Sequence, residues 1–309
     1  MKTDMNNEYV AVTVRDNFSY ALRRKGQTFA YRLFGSKLMA RVYYRIVMKK
    51  KLDLCNPQTF TEKINWYKLF YCPKNPLVIQ CSDKYTVRSY LEQKGLGEYL
   101  SELIGVWDDP DRINWDALPS KFALKNSNGC GYNIVCKDKA YLDEKKTKKL
   151  LSKWLCEHFG YYNAEPHYEV GKKRIIGERY IESDNLLPVD YKIHCMNGIP
   201  KVMQVCDERT ASVTKYIYYD MEGHPFDFGK FPSESNMDIS EDMLTEMDRV
   251  CRVIAPDFPY VRIDFFVNKG KLQIGELTFS PSAGLKPDLK CGNGDLIMGE
   301  MLNIKGIRF

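Results

Sequence analysis

Hydrophobic positions follow the helical period in some parts of the chain and alternate with polar positions, as in strands, in others. The helical period predicts a helix that begins at Thr61, another that ends at Gly95, and one over 141–159 that ends at Gly160. Ser240 is the predicted N-cap of a later helix. The strand-like runs are 121–138, 174–183, 190–209, 214–226 and 261–281. This order predicts an α+β chain with at least two lobes, and lobes form clefts.

The last of these runs, VRIDFFVNKGKLQIGELTFSP, predicts a hairpin that carries charged residues in otherwise apolar strands. With a three-residue loop at 268–270, Arg262 lies opposite Glu276, and Asp264 lies diagonally from Glu276 on the same face. Two carboxylates this close on one face of a sheet repel each other unless positive charge lies between them. Two interpretations stay open: Arg262 is an internal counter-charge, or the carboxylates hold Mg²⁺ together with phosphate oxygens.

A basic segment near the start of the chain contains no acidic residue between positions 17 and 52. Apolar side chains recur through it at helical spacing, which predicts a basic amphipathic helix. The helix covers the core with a solvated basic face, or it contacts an anionic membrane or polyanionic glycan, or it binds nucleic acid. No recognised nucleic-acid module accompanies the charge, so we do not expect nucleic acid as a partner.

The chain has 309 residues and a formal net charge of +6, and this length suffices for two or three subdomains. Its ten cysteines show neither CxxC pairs nor zinc spacing, and the start does not read as a signal peptide. We therefore expect reduced thiols in a cytoplasmic protein, with peripheral contact at the inner face of the membrane as the one further option. No apolar run reaches the length of a membrane span.

A glycine-rich sequence, NSNGCG, directly follows Lys125 at the end of a predicted strand. Gly129 and Gly131, with Ser127 and Asn128 beside them, would let backbone N–H groups approach a phosphate closely. The loop lacks the G-K-[ST] of a Walker sequence and the dinucleotide fingerprint, and a tight hairpin is the alternative interpretation. The adjacent lysine favours a phosphate site, because it supplies the point charge that such a loop needs.

Further polar residues interrupt the predicted strands. Glu178 breaks an apolar run, with Glu182 four residues later, and it either faces solvent or borders a purine and the ribose hydroxyl groups. Lys192 alternates into the same strand-rich region and is a candidate phosphate ligand. The candidate cations for a substrate carboxylate are Lys84, Arg209 and Lys286. The four histidines and Cys130 are expected to be structural.

Six stretches between about residue 50 and the C-terminus carry a more specific pattern: NPQTFTEKINWYKL, CSDKY, FALKNSNGCG, LPVDYKIHCMNGIPKV, VRIDFF and GELTFSPSAG. Together they resemble the TupA-like branch of the ATP-grasp superfamily, which is found among bacterial surface-polysaccharide and teichuronopeptide genes. The resemblance implies an ATP-grasp fold, in which two α+β lobes hold ATP between them together with Mg²⁺.

The resemblance also implies roles for individual residues. Asp264 and Glu276 would hold Mg²⁺, while Arg262 and Lys192 would reach the phosphates and share catalytic roles with Arg209. The implied nucleotide-binding residues are Lys84, Lys125, Ser127, Asn128, Gly129, Gly131, Glu178, Arg179, Tyr180, Ile181, Glu182, Asp184 and Lys192.

The chain departs from the family pattern at one metal position. Many ATP-grasp enzymes have E-x-N where this chain has ELT. Thr278 would therefore offer a hydroxyl oxygen, a weaker Mg²⁺ ligand than an amide oxygen, to a second metal ion.

The implied reaction is the formation of an amide from a carboxylate and an amine, through an acyl phosphate. An amino acid or amine joined to a uronic-acid carboxylate of a surface polysaccharide would suit a basic cleft. A glycosyltransferase, a kinase and a scaffold with a degenerate nucleotide site are the alternatives. The predicted units are a basic arm at 1–55, a helical region at 56–120, a small lobe at 121–185 and a large lobe at 186–309.

Overall fold

The computed structural model describes residues 8–13, 18–181, 189–209, 214–226, 228, 239–268, 270–290 and 292–307. Over these ranges the protein is α+β, with two antiparallel sheets and covering helices, as the sequence predicts. The helices are α1 (Phe18–Met48), α2 (Phe60–Trp66), α3 (Pro76–Cys81), α4 (Val87–Gln93), α5 (Glu144–Cys156), α6 (Phe159–Tyr162), α7 (Glu241–Ile254) and α8 (Gly294–Met301). The strands are β1 (Val10–Val12), β2 (Leu103–Trp107), β3 (Phe122–Asn126), β4 (Asn133–Cys136), β5 (Ile175–Arg179), β6 (Asp190–Met196), β7 (Ile199–Arg209), β8 (Thr214–Tyr219), β9 (Tyr260–Asn268) and β10 (Lys271–Thr278).

The first sheet has the strand order β1-β4-β3-β5-β2 and packs on α5 through a small apolar core around Trp154. The prediction that this helix spans 141–159 was wrong at both ends. Asp143 caps its first turn by accepting from Lys146 N, and Glu157 has extended backbone angles that end it. Gly160 lies instead in the separate short helix α6. The first sheet also takes β1 and β2 from outside the predicted small lobe.

The second sheet has the order β10-β9-β6-β7-β8, and its core is the largest of the described part of the chain. Helix α7 covers this core with Met247, Val250 and Ile254, which are fully buried. Ser240 caps α7 by accepting a hydrogen bond from Met243 N at 3.3 Å, which confirms the predicted cap.

The hairpin of β9 and β10 corrects the predicted register. Asn268 pairs with Lys271, so the loop holds two residues rather than three. That shift alone would turn Glu276 to the opposite face of the sheet, because side chains alternate along a strand. A β-bulge at Gly275 shifts the register back, so that Asp264 lies directly opposite Glu276. The prediction that these two carboxylates share a face is correct. The predicted pairing of Glu276 with Arg262 is wrong, because Glu276 pairs with Asp264.

Helix α2 begins two residues earlier than predicted. Thr59 is the N-cap, and its side chain forms a capping box with Glu62. Thr61, the predicted cap, is fully buried; its N and its Oγ1 each donate to the Asp295 carboxylate at 2.8 Å. The sequence TFTE contains two candidate caps, and the glutamate three residues after Thr59 decides between them.

Helix α1 forms most of the predicted basic arm. Its backbone breaks at Gly35, where φ is 73°. The C-terminal half packs on the protein through Met39, Ala40, Tyr44 and Met48, which belong to a third apolar cluster. Within the described residues, no helix is both long enough and apolar enough to cross a membrane.

Candidate active site

A cavity of about 240 Å³ lies between the two sheets. Strands β3, β4 and β5 form one wall, and strands β6, β9 and β10 form the other. Eight residues selected from the sequence line it: Lys84, Lys125, Arg179, Tyr180, Ile181, Lys192, Asp264 and Glu276. Residues distant in sequence thus meet at the predicted cleft between two lobes.

One cross-strand row of polar side chains runs through all five strands of the second sheet. Glu276 on β10 pairs with Asp264 on β9, which pairs with Lys192 on β6. Lys192 pairs in turn with Gln204 on β7, and Gln204 pairs with Tyr218 on β8. Directly paired residues share a face of a sheet, so all five lie on the face that borders the cavity. We call these five residues the polar row.

Asp264 is buried at the centre of this site and is bound by two cations. Its Oδ1 accepts from Arg262 Nε at 2.6 Å, and its Oδ2 accepts from Arg262 Nη2 at 2.6 Å and from Lys192 Nζ at 2.7 Å. Burial raises the pKa of Asp264, but the neighbouring cations outweigh this effect and lower the pKa to about 2. The carboxylate is therefore ionised at neutral pH.

Arg262 connects both carboxylates of the hairpin. Besides its two bonds to Asp264, its Nη2 donates to Thr278 Oγ1 at 3.2 Å and lies 3.7 Å from Glu276 Oε1. Thr278 Oγ1 donates in turn to Glu276 Oε1 at 3.1 Å. Arg262 is thus a counter-charge to both carboxylates, as one of the two interpretations expects. The same two carboxylates also border the cavity, where a metal ion could bind.

The donor set at this wall fits a Mg²⁺ ion. Asp264 and Glu276 are directly opposite, border the cavity and leave room for phosphate oxygens, which Mg²⁺ prefers alongside one or two carboxylates. No cluster of three His, Cys, Asp or Glu side chains that could hold a metal occurs among the residues that the structure describes. A bound Mg²⁺ would therefore depend on nucleotide oxygens to complete its ligand shell.

Lys125 lies on the opposite wall and is paired with Glu178. Lys125 Nζ donates to Glu178 Oε2, while Glu178 Oε1 accepts from Ser101 Oγ at 2.5 Å and lies 3.8 Å from Arg88 Nη1. Burial raises the pKa of Glu178, but Lys125 above all, with Ser101 and Arg88, outweighs it and leaves the pKa lowered. Glu178 is 7% exposed, so it does not face solvent. The Lys125 ammonium is thus held by a buried carboxylate, while the residue itself borders the cavity.

The glycine-rich loop is held by its polar side chains. Ser127 Oγ donates to Asp83 Oδ2 at 2.6 Å, and Asn128 Nδ2 donates to Tyr168 O. Both side chains are buried, so they shape the loop rather than point at a ligand. Gly129 has a φ of 83°, and a Cβ there would lie 2.6 Å from Phe159 Cγ. These constraints explain why the loop needs glycine at this position.

Backbone N–H groups of the same loop are unpaired in the part of the chain that the structure describes, although residues 127–131 are not among those that line the cavity. Among the described residues, the N–H groups of 128–131 have no hydrogen-bond acceptor, although Ser127 N donates to Arg174 O at 2.7 Å. Lys84 Nζ donates to Gly129 O at 2.5 Å and lies 3.9 Å from Glu276 Oε2. Lys84 therefore links the loop to the carboxylate wall. Successive unpaired N–H groups beside two lysines are the environment that a polyphosphate requires.

The remaining predicted residues fall in three places. Tyr180 and Ile181 border the cavity beside Ala123 and Phe266, which gives an adenine ring apolar surface to pack on. Arg179 lines the same edge but pairs with Glu102 through a 2.8 Å bond at the surface. Outside the described residues lie Glu182, Asp184 and the side chain of Arg209.

The sequence reasoning did not select several residues that complete the site. Asp190 lines the cavity and accepts from Lys192 Nζ at 2.9 Å. Its spacing of two residues from Lys192 on a strand was the available signal, because such residues share a face. Asp83, Arg88 and Ser101 act through contacts between distant elements, which no local pattern reveals.

Lys286 lies at the far end of the polar row. It is 2% exposed; its Nζ donates to Gln204 Oε1 at 3.0 Å and lies 3.7 Å from Asp288 Oδ2. The ammonium also lies over the rings of Tyr216 and Tyr218, 5.2 and 5.6 Å from their centroids. Burial lowers the pKa of Lys286 to about 8, despite the opposing effect of Asp288.

Solved ATP-grasp structures resemble the chain at low sequence identity. D-alanine–D-alanine ligase from Helicobacter pylori is 14% identical, with 79% of this chain and 69% of that chain covered and a TM-score of 0.41. N5-carboxyaminoimidazole synthase from Aspergillus clavatus, solved with ADP and 5-aminoimidazole ribonucleotide, is 9% identical, with 74% and 55% covered and a TM-score of 0.42. The ligase PsnB, solved with a phosphomimetic variant of its minimal precursor, Mg and ADP, is 12% identical, with 72% and 57% covered and a TM-score of 0.40. The chain thus spans between 55% and 69% of the length of these proteins.

The decisive comparison is with a protein family. No curated protein matches the chain. A family model described as TupA-like ATPgrasp matches residues 62–303, which is most of the chain and includes every described residue of the cavity walls except Thr13. The protein therefore belongs to the TupA-like ATP-grasp family.

Proposed function

We propose that the protein is an ATP-dependent ligase that joins a carboxylate to an amine. The observation that carries this proposal is the polar row, which has the carboxylates Asp264 and Glu276 at one end and contacts the buried Lys286 through Gln204 near the other. Nucleotide and acceptor could therefore bind side by side, with the γ-phosphate between them. The proposed acceptor is a uronic-acid carboxylate of a surface polysaccharide or its precursor, and the amine is an amino acid or another amine.

The chain's own residues would bind and neutralise the triphosphate. The free N–H groups of 128–131 and the ammonium groups of Lys84 and Lys125 would hold phosphate oxygens from one wall. Arg262 and Lys192 would approach from the other wall and balance the charge that develops on the transferred phosphoryl group. Mg²⁺ held by Asp264 and Glu276 would supply further neutralisation of that charge when it is bound.

The chemistry requires no protein nucleophile. A carboxylate oxygen of the acceptor attacks the γ-phosphorus, and ADP leaves. The amine then attacks the acyl carbon, loses a proton, and phosphate leaves with one oxygen of the original carboxylate. In this scheme the protein orients the reactants and stabilises charge.

Heavy-oxygen labelling tests this reaction directly. The protein would be incubated with ATP, Mg²⁺, mixed amino acids and a hexuronic acid whose carboxylate carries heavy oxygen. We expect released phosphate with one heavy oxygen, together with an amide product. Release of ADP without free phosphate, together with a phosphorylated sugar hydroxyl, would identify a kinase and contradict the ligase.

A glycosyltransferase is the second candidate, because the family that this chain resembles is found among surface-polysaccharide genes. It would need acidic residues at a nucleotide-sugar site, and the sequence DDPD at 108–111 is the one acidic cluster of that kind. Asp108 instead pairs with Lys172 at 2.8 Å and with Arg112 at 3.6 Å, which is a structural arrangement. Transfer from a UDP-sugar without ATP consumption would favour this candidate.

The pH dependence of the acceptor step tests the role of Lys286. Its pKa is lowered to about 8, so the ammonium form that binds a carboxylate prevails below that pH and is lost above it. We expect the KM for the carboxylate to rise about tenfold per pH unit above the pKa, because each unit removes nine tenths of the remaining charged form. The KM for ATP serves as the internal reference and should change less.

Two variants of Lys286 sharpen this prediction. Lys286→Arg keeps its charge at high pH, so the rise in KM should disappear, while Lys286→Met should have a high KM at every pH. Thermal unfolding of both variants checks that they fold. A Lys286→Met protein with an unaltered KM for the carboxylate would show that the acceptor binds elsewhere.

A further inference from the structure

Both halves of α1, before and after the break at Gly35, expose large apolar side chains. In the N-terminal half, Phe29 is 70% exposed, while Gln27 and Tyr31 face inward: Gln27 Nε2 donates to Tyr162 O, and Tyr31 stacks on Tyr161. In the C-terminal half the exposed apolar positions repeat every four residues, opposite the buried residues of the helix. We call this surface the α1 ridge; its members are Leu22, Phe29, Leu33, Phe34, Leu38, Val42 and Ile46.

Cations follow the α1 ridge along its length. Exposed Lys37, Arg41 and Arg45 repeat every four residues, each one position before Leu38, Val42 and Ile46. The stretch 17–52 contains ten lysines and arginines and no acidic residue. Among the described residues, neither Arg41 nor Arg45 is in an ion pair with a carboxylate. The helix therefore presents an apolar stripe with a strip of positive charge beside it.

A basic cavity adjoins the N-terminal part of the ridge. It measures about 410 Å³ and is lined by Arg24, Lys25, Arg32 and Lys153, with Phe29 at its edge. The Nε of Arg24 is buried and has no hydrogen-bond partner among the described residues. One carboxylate, that of Glu157, also lines the cavity, and it accepts from Tyr132 OH at 2.6 Å. The charge balance favours an anion such as a phosphate group.

We propose that α1 docks this protein on an anionic lipid bilayer, with the α1 ridge inserted at the level of the headgroups. A bilayer supplies apolar burial and negative charge at the same surface, and the ridge and its cations need both. The proposal goes beyond the proposed reaction and does not depend on it.

Other occupants satisfy only part of this pattern. A second copy of the chain would bury the ridge, but it would bring ten further cations against the first ten, and like charges repel. A soluble polyanion would meet the cations and leave the apolar side chains in water. The cavity's capacity for an anionic group beside Phe29 further favours a phospholipid surface.

Vesicle flotation tests the proposal with the full chain. The wild-type protein should float with vesicles of phosphatidylcholine and phosphatidylglycerol in equal amounts. With phosphatidylcholine alone, the partition coefficient should be at least about tenfold lower, because the electrostatic attraction is absent. Failure to float with the anionic vesicles, or equal flotation with both kinds, would overturn the proposal.

An apolar variant probes the ridge itself. Leu38→Ser combined with Ile46→Ser should lower partitioning to anionic vesicles by at least about tenfold, because both side chains would lose their burial in lipid. The matched control combines Val170→Ser and Leu296→Ser, which are 58% and 48% exposed elsewhere on the molecule. Equal losses in the two double variants would overturn the assignment to α1.

A charge variant probes the cations. Arg41→Glu combined with Arg45→Glu should abolish the preference for phosphatidylglycerol, whereas Lys201→Glu with Lys271→Glu, two exposed positions on the second sheet, should keep it. Sedimentation of the protein without vesicles measures its oligomeric state and so tests whether a second copy of the chain covers the α1 ridge. A wild-type dimer that the apolar variant dissociates, with no vesicle binding, would overturn the proposal in favour of a second copy.

Discussion

Replacement of Asp264 by asparagine should lower the rate of ATP-dependent ligation by about 10³-fold. Asparagine keeps the size of the side chain but removes the negative charge that is paired with Arg262 and Lys192 at 2.6–2.7 Å. Mg²⁺ would lose its central carboxylate ligand, and the two cations would lose the charge that orients them toward the phosphates. Mg²⁺-dependent binding of ATP, measured by calorimetry, should disappear together with phosphate release.

Asp190→Asn is the matched control for Asp264→Asn. Asp190 contacts the same Lys192 Nζ at 2.9 Å and also lines the cavity, but it is not paired with Glu276 across the strands. We expect Asp190→Asn to lower the rate by less than about tenfold and to keep Mg²⁺-dependent ATP binding. If the two variants lost equal amounts of activity, the charge of Lys192 rather than metal binding would explain the effect of Asp264. Chemical denaturation of both proteins must show cooperative unfolding.

Replacement of Lys125 by methionine should impair both activity and stability. The activity loss, about 10²–10³-fold, would come from the missing cation at the phosphates. The stability loss, about 2–4 kcal/mol, would arise because Glu178 would stay buried with Arg88 no closer than 3.8 Å. Chemical denaturation measures the second effect, and phosphate release measures the first.

A double variant separates these two effects. Lys125→Met combined with Glu178→Met replaces the buried pair by apolar side chains, and such replacements often restore stability. We expect unfolding free energy near that of the wild type but activity as low as in Lys125→Met alone. Recovery of activity in the double variant would mean that Lys125 serves only to neutralise Glu178, and its proposed contact with phosphate would be wrong.

The hairpin of β9 and β10 shows how far local patterns predict a site. Alternation along the strands correctly predicts that the carboxylates share a face with Arg262. The pairing depends on the loop length and on a bulge at Gly275, which compensate each other. A single glycine in a strand-like run does not reveal whether it lies in a regular ladder or in a bulge, because the partner strand decides that.

Helix boundaries show the same division. Ser240 was predicted correctly as a cap because its partner, the N–H of Met243, lies three residues away. Thr61 was not a cap, since the buried carboxylate of Asp295, contributed by α8, takes its hydroxyl and its N–H. Thr61 and Asp295 lie more than two hundred positions apart in sequence, so no local pattern predicts their contact.

The sequence by itself determined the class of the fold, the order of the motifs, and the chemistry available at the site. Periodicity, caps and turn residues express interactions between near neighbours, so they can be read along the chain. Only the tertiary structure decided which of these residues meet: the pairing of Lys125 with Glu178, the polar row, the N–H groups of the glycine-rich loop that stay free, and the face of α1 that stays exposed. These features depend on the packing of distant segments, because burial and pairing contribute no stabilisation until those segments meet.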